Sequence, residues 1–242
     1  GGGGWAGQVA DGWPTMGNLA GGSAHVALST HAGVPSASMG SGGRSGIYHS
    51  NYDSFAWYER FGDAEWVFGP MIARADGLLA LRFANADLLP YDVERYAVDT
   101  RTHVATLIEV AERRGVDVDL SRLMAATRDL DAAAGVLSAA RAQRVAAGPI
   151  PAAAAARINA AFIGLEKAWL DDRGLQDRPW SRSLYVSPDP FSGYASWMLP
   201  GLRYEIETDD PAEVPEWEAR YVDAIGGLAE RMRALTALIR GG

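Results

Sequence analysis

From about Glu213 to the end of the chain, Trp217, Tyr221, Ile225, Leu228, Met232, Leu235 and Ile239 recur at intervals of three and four residues. That spacing places all seven on one side of a helix, and an apolar stripe of that length must be covered by other helices. The same period runs through three earlier segments. A helix beginning near Asp92 carries Val93, Tyr96, Val104, Leu107, Ile108 and Ala111 and stops at Gly115, after Arg113 and Arg114. A second carries Leu120, Leu123, Met124, Thr127, Leu130, Ala134 and Leu137, and a third follows Pro149 and Pro151 with Ile158, Phe162, Leu165 and Trp169 on one face. A further helix precedes these, capped by Asp63 and running through Trp66, Met71, Leu78 and Phe83 to about Asn85.

Two stretches break the helical period. Residues 1–47 are rich in Gly, Ser and Ala, with Asp11 the only carboxylate before Asp53 and a short strand predicted over Val34–Met39. The segment Asp171–Glu207 reads as a non-helical insert, dense in Pro, Gly and aromatic residues such as Trp180, Tyr185, Phe191, Tyr194 and Trp197. Bundles join helices with about two to eight residues, so a loop of this length argues against a plain bundle and for a binding role. The expected fold is mainly α with an α/β remnant: residues 1–89 form the end of an α/β domain, and residues 90–242 a helical domain interrupted by the insert 171–207.

Composition narrows the function classes. The 242 residues carry a net charge of −8, which gives no basic footprint for nucleic acid and favours a peptide, protein or small-molecule partner. The absence of cysteine rules out disulfides, thiolate-bound zinc and thiol nucleophiles. Apolar runs such as Gly77–Leu81 are broken by charges such as Arg82 far short of the roughly 18 residues a membrane span needs. The Gly-rich start, Gly1–Gly4 and Trp5, does not read as a signal peptide and is what a partial chain would look like. The run Gly40–Gly46 lacks the lysine of a phosphate loop, and no serine sits in a Gly-x-Ser-x-Gly elbow with a histidine partner.

The segment Gly46-Ile47-Tyr48-His49-Ser50-Asn51-Tyr52-Asp53-Ser54-Phe55 is the most telling motif. It comes after Ala32-Gly33-Val34-Pro35-Ser36 and precedes Phe61-Gly62-Asp63, a long helix and Ala86-Asp87-Leu88-Leu89-Pro90. Further on come Leu165-Glu166-Lys167-Ala168-Trp169, Gly174–Arg182, Tyr185–Pro190, Gly193-Tyr194 and Leu199-Pro200-Gly201. In this order the segments resemble the C-terminal part of the glutamate carboxypeptidase and transferrin receptor family of dinuclear zinc peptidases. The resemblance implies the end of a zinc-exopeptidase α/β domain followed by a four-helix, transferrin receptor-like dimerisation domain, and hence a homodimer. It implies zinc as cofactor, a peptide substrate, His49 as the last zinc ligand and Tyr48 as a phenol donor to the developing oxyanion. It implies that Gly193 and Tyr194 lie in the substrate entrance loop, beside Tyr48 and His49 in space, and it favours an extracytoplasmic location.

Three features depart from the family pattern. A two-metal site needs about five protein ligands, whereas upstream of Ala32 only Asp11, His25 and His31 are available, and neither histidine has the spacing of a ligand. The run Ala20-Gly21-Gly22-Ser23-Ala24-His25 has Ala24 where the family places a polar pocket residue. Gly193 stands where the glutamate-preferring enzymes carry a lysine, so aminopeptidase and carboxypeptidase action both stay open. The resulting expectation is part of a zinc exopeptidase, inactive by itself; the alternative is a non-catalytic dimerisation protein of the transferrin receptor-like type.

Overall fold

The computed structural model describes residues 9–10, 13–14, 17–19, 21–40, 45–208 and 211–241. Asp11, Gly1–Gly4, Trp5, Ala20 and 41–44 of the glycine loop lie outside the described residues. The chain divides into two compact units, one of residues 1–18 with 37–86, the other of residues 19–36 with 87–242. Residues 19–36, which the sequence pattern assigns to the first domain, thus pack in the second unit.

In the first unit, a short antiparallel pair, β1 (Val9–Ala10) and β2 (Trp13–Pro14), precedes a helical segment. The single turn α2 (Phe55–Trp57) is capped by Ser54, whose hydroxyl accepts the Trp57 N–H, and passes into a wider π turn over Tyr58–Gly62. Asp63 organises the entry to the next helix. Its carboxylate accepts the N–H groups of Val67 and Gly69, each at 2.8 Å, and the Tyr58 hydroxyl at 3.0 Å. Asp63 therefore does serve the start of a helix, but α3 (Phe68–Ala84) begins five residues beyond it, after a turn with Trp66 at φ 52°.

The second unit holds the helical domain. Its helices are α4 (Glu94–Arg114), α5 (Ser121–Ala146), α6 (Ala152–Ile163) and α8 (Val214–Gly241). The helical period fixed the buried faces correctly: Ala97, Val104, Leu107 and Ala111 of α4, and Leu123, Leu130, Ala134 and Leu137 of α5, are all buried. All seven stripe residues of α8 are buried too, against α5 along most of its length and against α6. Alanines at 133, 134 and 140 keep the α5 face thin, which lets helix axes approach closely. Helix α4 ends as its sequence foretells. Gly115 adopts φ 69°, and the N–H of Val116 reaches back to the Ala111 carbonyl at 3.0 Å, a Schellman closure that a residue with Cβ would strain.

Helix α5 begins without a capping side chain at Leu120. The missing acceptor comes from a distant helix: Glu218 of α8, 5% exposed, accepts the Leu123 N–H at 3.0 Å. An anion at a helix N-terminus is favourable both as hydrogen-bond acceptor and against the helix dipole, which ties the start of α5 to α8.

The structure corrects two expectations. The residues Val34–Met39 form no strand, and Val34 and Met39 are exposed. The segment is the extended exit from α1 (His25–Ala32); Pro35 has no N–H to donate, and a strand needs a neighbour for its backbone groups. The insert is also not wholly irregular. It contains an antiparallel hairpin, β3 (Val186–Pro188) with β4 (Ser196–Met198), and then a helix, α7 (Pro200–Glu207). Pro200 occupies the first turn of α7, where a missing N–H costs nothing, and Leu202 and Ile206 are buried one turn apart. Within residues 1–89 the described strands are the single short pair β1–β2, the other pair belonging to the insert; the molecule is mainly helical. No described helix is long and apolar enough to cross a membrane.

Candidate functional site

The Tyr-His-Ser motif lies in a tight turn of the first unit. The N–H of Ser50 and its hydroxyl both reach the Ile47 carbonyl, at 2.9 and 2.7 Å, and the Asp53 N–H closes on Ser50 at 3.1 Å. This doubled bond forces the chain back on itself at His49, which adopts φ 59°. Positive φ in a residue other than glycine is uncommon, and histidine tolerates it better than branched residues do. The imidazole stacks on the Tyr48 ring with centroids 3.9 Å apart and planes 20° from parallel. Both side chains are exposed, Tyr48 at 68%. Strain of this kind tends to persist where geometry serves a purpose, and here it presents two adjacent polar rings on one turn.

Among the described residues no three His, Cys, Asp or Glu side chains converge closely enough to hold a metal ion. The donor set around His49 therefore does not by itself fit a zinc centre, which takes three protein ligands per catalytic metal. Of the other histidines, His31 places Nδ1 2.8 Å from the Trp180 carbonyl oxygen, the contact of an N–H donor that packs α1 against the insert. His25 lines a small hollow with Ser29, Ser187 and Pro188.

The second predicted site, Gly193 and Tyr194, sits at the tip of the β3–β4 hairpin. Asp189 builds that tip: its carboxylate accepts the Phe191 N–H and the Ser192 hydroxyl, both at 2.8 Å, and the Gly193 N–H returns to its carbonyl. Burial opposes ionisation of Asp189, but these donors outweigh it and hold its carboxyl below the ordinary value. The tip rests on the glycine run that precedes α1. The Gly21 N–H donates to the Tyr194 carbonyl at 2.8 Å, and a Cβ on Gly21 would lie 2.0 Å from the Gly193 carbonyl oxygen. A Cβ on Gly22 would come within 3.1 Å of the Tyr194 ring. Thus Gly21-Gly22 and Gly193-Tyr194, distant in sequence, make one platform within the second unit. Tyr194, 55% exposed, offers its phenol there, beside exposed Phe191. Ala24 stands at the N-cap of α1 and supplies no side-chain acceptor there.

A further polar cluster was not visible in the sequence pattern. Glu166, in a 3₁₀ turn over Glu166–Trp169, accepts a short hydrogen bond from the Tyr96 hydroxyl of α4. Tyr185 packs edge-on to His103 and against Trp169, at centroid distances of 5.8 and 5.0 Å. Burial raises the Glu166 carboxyl above its ordinary 4.5, with the Tyr96 bond working the other way. Burial likewise lowers the His103 imidazole and raises the Tyr96 and Tyr185 phenols. Only a tertiary contact between residues 70 apart creates this site, so the local spacing could not reveal it. Its effect on stability depends on pH. Below pH 4.5 Glu166 is protonated whether the chain is folded or not; as pH rises the unfolded state ionises first, so folding loses stability until the raised value is passed. Glu166→Gln, which keeps the acceptor oxygen without the charge, is expected to raise the melting temperature at pH 7 and leave it unchanged at pH 4. A melting temperature equal to that of wild type at both pH values would remove this account of the cluster.

Residues 118–233 match the family described as a transferrin receptor-like dimerisation domain, a span that takes in α5, α6, the insert and most of α8. A probable glutamate carboxypeptidase of Arabidopsis thaliana is 32% identical over 187 residues, 77% of this chain and 26% of the relative. The chain carries a transferrin receptor-like dimerisation domain and over most of its length is similar to probable glutamate carboxypeptidases. Two other probable glutamate carboxypeptidases match 87% of the chain, one from Arthroderma benhamiae at 26% identity and one from Zea mays at 27%. The chain spans 26–30% of the length of these relatives.

Proposed function

We propose that this chain contributes one part of a zinc-dependent exopeptidase and acts as a homodimer. The observation that carries the reading is the relationship to probable glutamate carboxypeptidases across three quarters or more of the chain. On this reading His49 is one ligand of a site whose other ligands and catalytic carboxylate are not supplied by the described residues. Tyr48, stacked on the same turn, donates its hydroxyl to the oxygen that gains charge as the peptide carbonyl is attacked. Gly193 and Tyr194 bear on the substrate through the rigid hairpin tip, whose backbone is pinned by Asp189 and Gly21. With glycine at 193 there is no cation beside Tyr194 from that position, so recognition of a C-terminal glutamate is not part of the proposal.

Zinc titration of the purified chain, followed by equilibrium dialysis, tests the metal half of this reading. The wild-type chain is expected to bind zinc weakly, with no stoichiometric site, and His49→Ala to remove most of what binding remains. Tight stoichiometric binding that survives His49→Ala would contradict the assignment of His49. A chain whose weak binding is indifferent to His49 would favour a non-catalytic dimerisation role.

A further inference from the structure

We propose that His103 is an acid-operated latch on the base of the β3–β4 hairpin: as a neutral imidazole it holds Tyr185 and keeps the hairpin seated on α4, and when protonated it releases both. Tyr185 stands where the hairpin opens. Its carbonyl accepts the Leu199 N–H at 2.9 Å, and the next residue, Val186, pairs with Met198 as the first rung of the ladder. The Tyr185 ring anchors that base to two other elements, edge-on to His103 of α4 with centroids 5.8 Å apart and tilted against Trp169 at 5.0 Å.

The placing of one nitrogen makes this contact sensitive to acid. Among the described residues the buried Nε2 of His103 has no hydrogen-bond partner. In the neutral ring Nε2 can be the bare acceptor, a modest loss; in the imidazolium it becomes a charged N–H with nothing to receive it. The buried indole N–H of Trp169, in the same cluster, also lacks a partner and is itself only a donor. The surrounding charges are committed elsewhere. Asp99, one turn earlier on α4, favours the imidazolium, but Arg95 holds both its oxygens at 3.0 Å. Glu166 takes the Tyr96 hydroxyl. On the helices packed against α4, Asp131 of α5 faces Arg101 at 3.9 Å, while on α7 Arg203 pairs with Glu207 and Glu205 with Gln176, each at 2.6 Å. Burial accordingly outweighs Asp99 and lowers the imidazole below its ordinary 6.5. Packing by the neutral ring is therefore fully present above pH 6.5 and is lost as pH falls below it. Each pH unit below that value raises the released population by up to about tenfold, until the packed imidazole itself takes up a proton. The hairpin so freed is the one whose tip carries Gly193 and Tyr194. The latch rests on contacts within the second unit and holds whatever that tip binds.

Amide hydrogen exchange of the full chain at pH 7.5 and pH 5, normalised for intrinsic rates, tests the latch. Wild-type peptides covering 184–199 should lose protection by about tenfold or more on going to pH 5, while staying less protected than α8 at both pH values. His103→Phe, which keeps a ring against Tyr185 but cannot take up a proton, should show the same protection at both pH values. His103→Gln serves as a second non-titrating variant should the bulkier ring disturb the fold. Glu166→Gln should keep the wild-type response, which separates the two titrating groups. Hairpin protection that does not change with pH in wild type overturns the latch, as does a change that persists in both His103 variants or disappears in Glu166→Gln. A hairpin that at pH 5 exchanges at the same rate as α8 also overturns it, because the event is then global unfolding.

Discussion

Arg220→Ala is expected to destabilise the chain by about 3 kcal/mol, because it removes a buried cation that joins the half-buried Asp171 carboxylate and the Gly174 carbonyl to α8. Arg220 is 7% exposed; its Nε donates to Asp171 at 2.8 Å, its Nη2 to the Gly174 carbonyl at 2.7 Å, and its guanidinium lies 3.7 Å from the Trp217 ring centre. One side chain thus pins the start of the insert to α8. Arg173 also holds Asp171 but is mostly exposed, so it is a weaker substitute. The carboxyl of Asp171 reports the same geometry: burial pushes it up, but the donors from Arg173 and Arg220 prevail and set it at about 2. A depressed acid stabilises the fold above its ordinary 3.8 and loses that contribution as pH falls from there to about 2. In Arg220→Ala this acid-sensitive step should shrink, since Asp171 titrates closer to its unfolded value. Urea unfolding at pH 7 and pH 3 measures both effects; a variant as stable as wild type at pH 7 would show that Arg220 does not anchor the insert.

The second large effect is expected at Gly201. A Cβ there would lie 2.1 Å from Cε3 and 2.3 Å from Cζ3 of Trp217, which is itself buried. Neither partner has room to move. The Gly201 N–H donates to the buried Tyr221 hydroxyl at 3.0 Å, and the Gly201 carbonyl accepts from Gln176, which also holds Glu205. Gly201→Ala is therefore expected to cost about 3 kcal/mol through overpacking alone. Because the conflict is with one ring, Gly201→Ala combined with Trp217→Leu should be less destabilised than the sum of the single variants. Strict additivity in denaturant unfolding would mean that the ring is not the obstacle.

These two sites show which parts of the architecture could be read from sequence. The stripe from Trp217 to Ile239 and the faces of α4 and α5 were legible because an amphipathic helix repeats its burial every turn. The Gly115 stop was legible because a left-handed terminus favours a residue without Cβ. Helix α7 was hidden: its eight residues come after a stretch whose prolines and aromatics suggested loop, and so short a helix is held by Trp217 and Tyr221 rather than by its own pattern. Glu218 at the start of α5 and Glu166 under Tyr96 are tertiary substitutions for local partners, invisible until the helices meet. The motif around His49 and the Gly193-Tyr194 pair were recognisable as residues, yet the φ of His49 and the glycine platform beneath Tyr194 emerge only from hydrogen bonding.

Hydrolysis of aminoacyl and dipeptide substrates by the purified 242-residue chain, with and without added zinc, tests the central claim most directly. On the proposed reading His49 is one ligand of a larger site, and among the described residues no two further donors join it, so no chelator-sensitive turnover is expected from wild type or from His49→Ala. Chelator-sensitive turnover in wild type that disappears in His49→Ala would contradict the account, since the chain would then hold a complete site.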